Sequence, residues 1–180
     1  MNRRHLNWAA CGITLLVACV SADVSAAPVE RFMARVTHVT DGDTIWVQAD
    51  SADASRKLRL LGIDAPEICQ AGGEASRAAL QALLAHRRVE VDIRFSDSYA
   101  RGLARVSLDG QDVAAAMVLA GQAWAERWHQ RPGVYAAQEA AARAAGQGLF
   151  ADPAPELPRD FRRRHGSCHV PDQQPVLPQR

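Results

Sequence analysis

The stretch LRLLGIDAPE, residues 58–67, combines a strand-like apolar pattern with three charged residues, Arg59, Asp64 and Glu67. An uncompensated charge is costly to bury, so charges in such a segment need a reason. Pro66 cannot donate to a strand ladder, so the segment DAPE stops the strand, and Asp64 and Glu67 lie just past its end. The two carboxylates fall where a strand stops and the chain turns.

Three more charged residues stand at the ends of other segments. Asp41 and Asp43 lie in the turn DGD, and Arg101 opens a later strand after SDSYA. If the first three strands pair in sequence, the carboxylates lie together at one rim of the barrel that the strands form. Carboxylate oxygens clustered in this way suit Ca²⁺ or Mg²⁺ rather than zinc. Arginines beside a dication suit a phosphate transition state, whose negative charge builds on its equatorial oxygens. The formal net charge of +1 does not indicate a general polyanion binder, so the local placement of arginine matters more.

Each of these features also has a purely structural reading. A DGD sequence is most often only a turn, and its glycine is expected to supply a positive φ. Arg59 by itself is typical of a salt bridge on the polar face of a strand, and an Asp-x-x-Glu spacing usually caps a helix. The combination, rather than any one member, indicates a site.

The elements that position these residues follow from hydrophobic periodicity. Alternation predicts two strands around the DGD turn in residues 32–49, and further strands in RKLRLLGI, RRVEVDIRF and RGLARVSLDGQ. Apolar residues spaced by three and four predict helices in residues 73–86, in DVAAAMVLAG and in VYAAQEAAARAAGQG. The order predicts an α+β fold, a five-stranded OB-type β-barrel with about three helices.

The two ends of the chain differ in composition from its middle. Residues 1–26 have a basic start, a short apolar run and a small-x-small ending, which predicts a signal peptide cleaved after Ala26. The alternatives are a lipobox, LVAC, ending at Cys19, or an uncleaved anchor. All three imply export, to the periplasm or the medium, or to the cell envelope as a lipoprotein. The folded domain is expected at 30–152, and the Pro/Arg-rich tail at 153–180 is expected to be strapped down or disordered.

The motifs DGDT, RLLGIDAPE and SYARGLA resemble, in order and spacing, those of the staphylococcal-nuclease-like (thermonuclease) family. GGEASRAALQALL and GLFADP also fit the layout of that family, and the resemblance runs from about Arg35 to Asp152. It implies an OB-fold nuclease that cuts DNA and RNA with Ca²⁺, acts as a monomer and needs no stable protein partner. A membrane would be a partner only if Cys19 carried lipid.

The resemblance also implies roles for individual residues around the metal. Asp43 and Asp64 correspond to the carboxylate ligands of calcium. Ala65 corresponds to a ligand that acts through its backbone carbonyl, so the alanine side chain is no obstacle. Glu67 corresponds to the carboxylate that holds, and in one reading deprotonates, the attacking water.

Two arginines and a tyrosine are implied for the substrate phosphate. Arg59 and Arg101 correspond to the pair that grips the phosphate, and Tyr99 to a residue that contacts it. The sequence departs from the family at the neighbouring positions, where Ser98 replaces a common lysine and Ala100 a common glycine. The alternative to a nuclease is a non-catalytic OB-fold module that binds nucleic acid or protein at the cell envelope.

Two further expectations concern residues outside these motifs. The segment AWAERWHQRP lacks the tyrosines that the family packs on the nucleotide, and Trp124 or Trp128 either stacks on a base or packs in the core. Cys69 and Cys168 form an even pair that suggests one disulfide, with two free thiols as the alternative. Such a bond would strap the tail, with the arginines of FRRR at 161–164, near the rim that carries Glu67.

Overall fold

The computed structural model describes residues 30–97, 101–127, 129 and 131–168. In chain order, the elements of those residues are β1 (Glu30–Val39), β2 (Thr44–Ala49), β3 (Ser55–Leu60), β4 (Ile63–Asp64), α1 (Gly73–Leu84), β5 (Arg88–Ser96), β6 (Gly102–Leu108), β7 (Gln111–Asp112), α2 (Val113–Leu119), β8 (Trp124–Ala125), α3 (Ala136–Ala144), a 3₁₀ turn (Gly148–Ala151) and α4 (Pro158–His165).

Five strands close into a barrel. Their order is β3-β2-β1-β5-β6, and a parallel pairing of β3 with β6 joins the two edges. In that pairing Leu58 faces Gly102 and Arg59 faces Leu103. Closure removes the free edges that an open sheet would expose. The predicted α+β fold, an OB-type barrel with α1 between the third and fourth barrel strands, is confirmed.

Alternation along the strands separates the barrel interior from the site. In β3, Leu58 and Leu60 are fully buried, and Arg59 between them points to the other face. Leu80 and Leu84 of α1 are also fully buried and belong to the same core. Burial of each such aliphatic side chain contributes about 1.5–3 kcal/mol. The period of two therefore excludes Arg59 from the core and leaves it available at the rim.

The glycine of the DGD turn has a different role from the one expected. Gly42 does not have the positive φ that the turn motif predicted. A Cβ added at Gly42 would lie 1.8 Å from the Ser76 hydroxyl oxygen and 2.8 Å from the Ala65 Cβ. Gly42 is needed because α1 and the turn after β4 pack directly onto the hairpin, which brings the two carboxylate-bearing turns together.

The described part of the tail, residues 153–168, is more ordered than its composition suggested. Residues 158–165 form α4, so the described residues contain four α-helices, one more than the three expected. Pro158 occupies the first turn, where the lack of an amide hydrogen does no harm. Leu157 packs on a small cluster formed by Trp124, Ala142 and Phe150, which anchors the start of α4. Tertiary contact thus orders a segment too polar to fold by itself.

The predicted signal segment, residues 1–26, lies outside the described residues, so the choice between cleavage and lipidation stays a prediction. No helix among the residues that the structure describes is long and apolar enough to span a membrane.

Cys69 and Cys168 are joined by a disulfide across 99 positions of sequence, with their Cα atoms 6.0 Å apart. The backbone amide of Cys69 also donates to the Cys168 sulfur at 3.2 Å. The bond ties Cys168 of the tail to the turn that follows β4, two residues beyond Glu67.

We expect reduction of this disulfide to lower the free energy of unfolding by about 4 kcal/mol, because a cross-link over such a long loop restricts the unfolded chain. Denaturant titration of the oxidised and reduced protein measures the difference. Peptide mapping without reductant should recover Cys69 and Cys168 in one cross-linked pair. Labelling of both thiols in the unfolded, unreduced protein would contradict the expectation.

Candidate active site

Asp43 is buried at the start of β2 and is only 3% exposed. Its carboxylate accepts hydrogen bonds from the Thr44 hydroxyl at 2.9 Å and from the Ala65 backbone amide at 3.0 Å. Its own amide donates to the carboxylate of Asp41 at 3.0 Å. A buried carboxylate with several donors is held in one orientation, and these hydrogen bonds offset part of its loss of solvation. The bond to Ala65 also fixes the turn after β4 against the hairpin.

Arg59 joins the two turns. One terminal nitrogen lies 2.9 Å from the Asp43 carboxylate, and the other lies 3.0 Å from Asp64 Oδ1. The pairing of Thr44 with Arg59 in the β2–β3 ladder places the guanidinium beside the hairpin turn. Burial lowers the pKa of Arg59, but the charges of Asp43 and Asp64 outweigh burial and raise the pKa above its usual value. Arg59 is therefore a permanent cation between two carboxylates.

The rim carries more negative charge than Arg59 alone can balance. Burial and the charge of Asp43 raise the pKa of Asp41. Burial also raises the pKa of Glu126, which follows β8, with Asp64 and Asp43 adding to the shift and Arg59 opposing it. Carboxyl groups that resist ionisation in this way mark a place where a bound cation would be stabilised.

Glu67 lies in a tight turn that leads into α1. Its amide donates to the Gln70 side-chain oxygen at 3.2 Å, and its carbonyl accepts from the Gln70 amide at 2.9 Å. A Cβ at Gly73 would lie 2.0 Å from the Glu67 carbonyl oxygen, so only glycine fits there. The backbone of Glu67 is thus fixed, and its carboxylate points to the rim.

Arg162 of α4 completes the set of charges. Its guanidinium lies 2.8 Å from Glu67 Oε1 and 3.3 Å from the carboxylate oxygens of Asp64. Burial lowers the pKa of Arg162, but the contacts with Glu67 and Asp64 prevail and raise it. Asp64 therefore stands between two guanidinium groups, Arg59 on one side and Arg162 on the other.

The structure brings together four of the side chains to which the sequence assigned roles: Asp43, Arg59, Asp64 and Glu67. Arg101 stands just before β6, the neighbour of β3, and alternation puts it on the same face as Arg59. Its Nε donates to Asp97 at 2.8 Å, and its amide donates to the same carboxylate at 3.0 Å. Tyr99, the predicted phosphate contact, lies outside the described residues.

Trp124 is a core residue. It is 3% exposed and meets Phe150 edge to face, with ring centroids 6.0 Å apart. Of the two readings of this tryptophan, the core one holds, because the buried indole packs in a cluster with Phe150 and Ala142. Trp128 lies outside the described residues.

Two residues of the site, Glu126 and Arg162, are not identified individually by the sequence motifs. Glu126 reaches the rim because β8 pairs with β4, a contact between segments that are distant in sequence. Arg162 was recognised only as one of several tail arginines, and nothing in FRRR distinguishes it from its neighbours. A signal did exist in Cys69 and Cys168, since a bond between them brings the tail beside Glu67.

The donor set fits a hard divalent cation in type. All candidate side-chain donors are carboxylate oxygens, which Ca²⁺ and Mg²⁺ prefer. Within the described part of the chain, however, no three Asp, Glu, His or Cys side chains stand at metal-binding spacing. Arg59 and Arg162 lie between the carboxylates, so the carboxylate oxygens of this cluster contact guanidinium groups.

Comparison with known proteins identifies the family. Residues 57–152 match the model described as staphylococcal nuclease homologue. An uncharacterized endonuclease of Haemophilus influenzae is 36% identical over 141 residues, 78% of this chain and 79% of that protein. The protein ParB of Escherichia coli is 34% identical over 174 residues, 91% of this chain and 95% of that protein.

A third relative, a micrococcal nuclease of Shigella flexneri, is 32% identical over 166 residues, 86% of this chain and 94% of that protein. Asp64 and Glu67 fall inside the matched family region, as does Arg59 between its two carboxylates. The barrel, its rim of carboxylates and arginines, and the matched relatives agree: the chain belongs to the staphylococcal nuclease homologue family.

Proposed function

We propose that the protein is an exported, Ca²⁺-dependent nuclease that hydrolyses phosphodiester bonds of DNA and RNA by attack of water. The observation that supports this most directly is the Arg59 guanidinium, which lies within 3.0 Å of both Asp43 and Asp64. This arrangement puts a fork-shaped phosphate donor next to two hard oxygen ligands.

In this proposal Asp43, Asp64 and the backbone carbonyl of Ala65 would hold the ion. Calcium would neutralise a phosphate oxygen and favour ionisation of the attacking water. The Glu67 carboxylate accepts the proton of that water or orients it. Arg59 and Arg101 donate to the equatorial oxygens, whose negative charge grows in the transition state, so their contribution is larger there than in the ground state.

Export is supported by two independent features. The first 26 residues have the composition of a signal peptide. The Cys69–Cys168 disulfide is a bond that persists mainly in oxidising compartments. We propose a periplasmic or secreted monomer. Incorporation of labelled palmitate at Cys19 would favour the lipoprotein alternative, and N-terminal sequencing of the exported protein would distinguish it from cleavage after Ala26.

We predict that millimolar Ca²⁺ activates cleavage of single-stranded DNA and that EGTA abolishes it. Asp43→Ala should lower the Ca²⁺ affinity by about tenfold or more, since a charged ligand is lost. Asp50→Ala is the matched control, because Asp50 forms a surface ion pair with Arg88 away from this cluster. Full cleavage in EGTA would contradict the mechanism, and binding of DNA without cleavage would favour a non-catalytic module.

Arg59→Lys should reduce kcat by roughly 10²–10³-fold with a modest change in KM, because lysine keeps the charge but loses the fork. Steady-state kinetics on a defined oligonucleotide measures both constants. Arg56→Lys serves as control, since Arg56 lies on the same strand and pairs with Glu30 at the surface. A kcat within about twofold of the parent would show that Arg59 has only a structural role.

A further inference from the structure

Two links tie the tail to the segment that carries the site carboxylates. We call residues 153–168 the C-terminal strap and residues 64–70 the carboxylate turn. The Gln70 side-chain amide donates to the Glu156 carbonyl at 2.6 Å, near the start of the strap. The disulfide of Cys69 with Cys168 fixes its end. The strap is therefore held on both sides of α4 by the same short turn.

Arg162 lies between these two attachments and reaches into the carboxylates. It contacts Glu67 at 2.8 Å and Asp64 at 3.3 Å, and its side chain is 32% exposed. Other arginines of α4 behave differently: Arg163 pairs with Asp160 on the same helix, and its side chain is 74% exposed. Of this arginine-rich run, Arg162 is the member whose described contacts are with the site.

The position of Arg162 conflicts with ion binding. Calcium requires ligand oxygens at about 2.3–2.6 Å, with several oxygens around one centre. A guanidinium that donates to Asp64 and Glu67 uses oxygen lone pairs that face the same space, and it cannot lose its charge in a protein. A divalent ion that binds Asp64 must therefore displace Arg162 or accept a like charge beside it, in addition to the contact that Arg59 makes with the same carboxylate.

We propose that Arg162 is an intramolecular competitor of the divalent cation and that the disulfide-held strap keeps it in place. This inference rests on the proposed function, since it concerns the affinity of the same site for its ion. The strap makes the competition intramolecular, with a high effective concentration of guanidinium at Asp64 and Glu67. Arg162 thereby sets the cation concentration at which the site fills, and the carboxylates remain neutralised when no ion is present.

The experiment is calorimetric titration of Ca²⁺ into the oxidised protein without nucleic acid. Arg162→Gln should raise the Ca²⁺ affinity by about tenfold, within the usual range of coupling between two sites. Arg163→Gln should leave it at the parent value, since that residue pairs with Asp160. Arg162→Lys should give an intermediate affinity, because the charge remains but the bidentate contact is lost. Thermal melting checks that each variant folds.

The role of the strap is tested with the pair Cys69→Ser and Cys168→Ser. The double variant should also raise the Ca²⁺ affinity, and the addition of Arg162→Gln to it should give little further increase, because both changes act through the same contact. A decrease in affinity in the double variant would overturn the role of the strap. Additive increases would show that the disulfide acts by a route other than Arg162.

The outcomes also separate this inference from the proposed function. Equal Ca²⁺ affinity in the parent, Arg162→Gln and Arg163→Gln would overturn the competition and leave the calcium site intact. Binding by Arg162→Gln but not by the parent would support the competition in its strongest form. Absence of Ca²⁺ binding in the parent and in every variant would overturn both.

Discussion

The buried contact of Arg59 with Asp43 and Asp64 is the interaction on which the site depends. Asp43 is almost fully buried, and an isolated carboxylate in that position would be costly. Arg59 compensates the charge of Asp43 and at the same time contacts Asp64. One guanidinium therefore holds the hairpin turn against the turn after β4. Removal of one partner from such a buried pair typically destabilises a protein by about 3–5 kcal/mol, because the other charge remains.

The barrel makes that contact possible. The β2–β3 ladder pairs Thr44 with Arg59, and the backbone of Leu60 donates to the Asp43 carbonyl at 2.8 Å. Helix α1 then packs so closely that only glycine fits at position 42. Because the barrel interior is densely packed and the pairing of β3 with β6 closes the sheet, the rim can hold several like charges without the strands separating.

Excess negative charge is the common feature of the site. The raised pKa values of Asp41 and Glu126 both arise where neighbouring carboxylates add to the effect of burial. The protein offsets the charge with guanidinium groups from two distant parts of the chain, Arg59 from the barrel and Arg162 from the tail. The same negative charge that Arg59 balances from the barrel also attracts Arg162, and the strap docks at this rim.

The sequence by itself determined the barrel and most of the site, because their signals are local. Alternation with a period of two defines the barrel strands and puts Arg59 outside the core, and the motifs place Asp43, Asp64 and Glu67 at the ends of elements. The positions of these residues follow from strand register, which the hydrophobic pattern fixes.

Only the tertiary structure decided which distant groups complete the rim. Glu126 arrives through the β4–β8 pairing, Trp124 packs inward on Phe150, and Gly42 owes its identity to the approach of α1. Arg162 is one of three consecutive arginines with the same local pattern, and a contact across 95 positions selects it. Such contacts depend on packing between remote segments, and no periodicity within a segment encodes them.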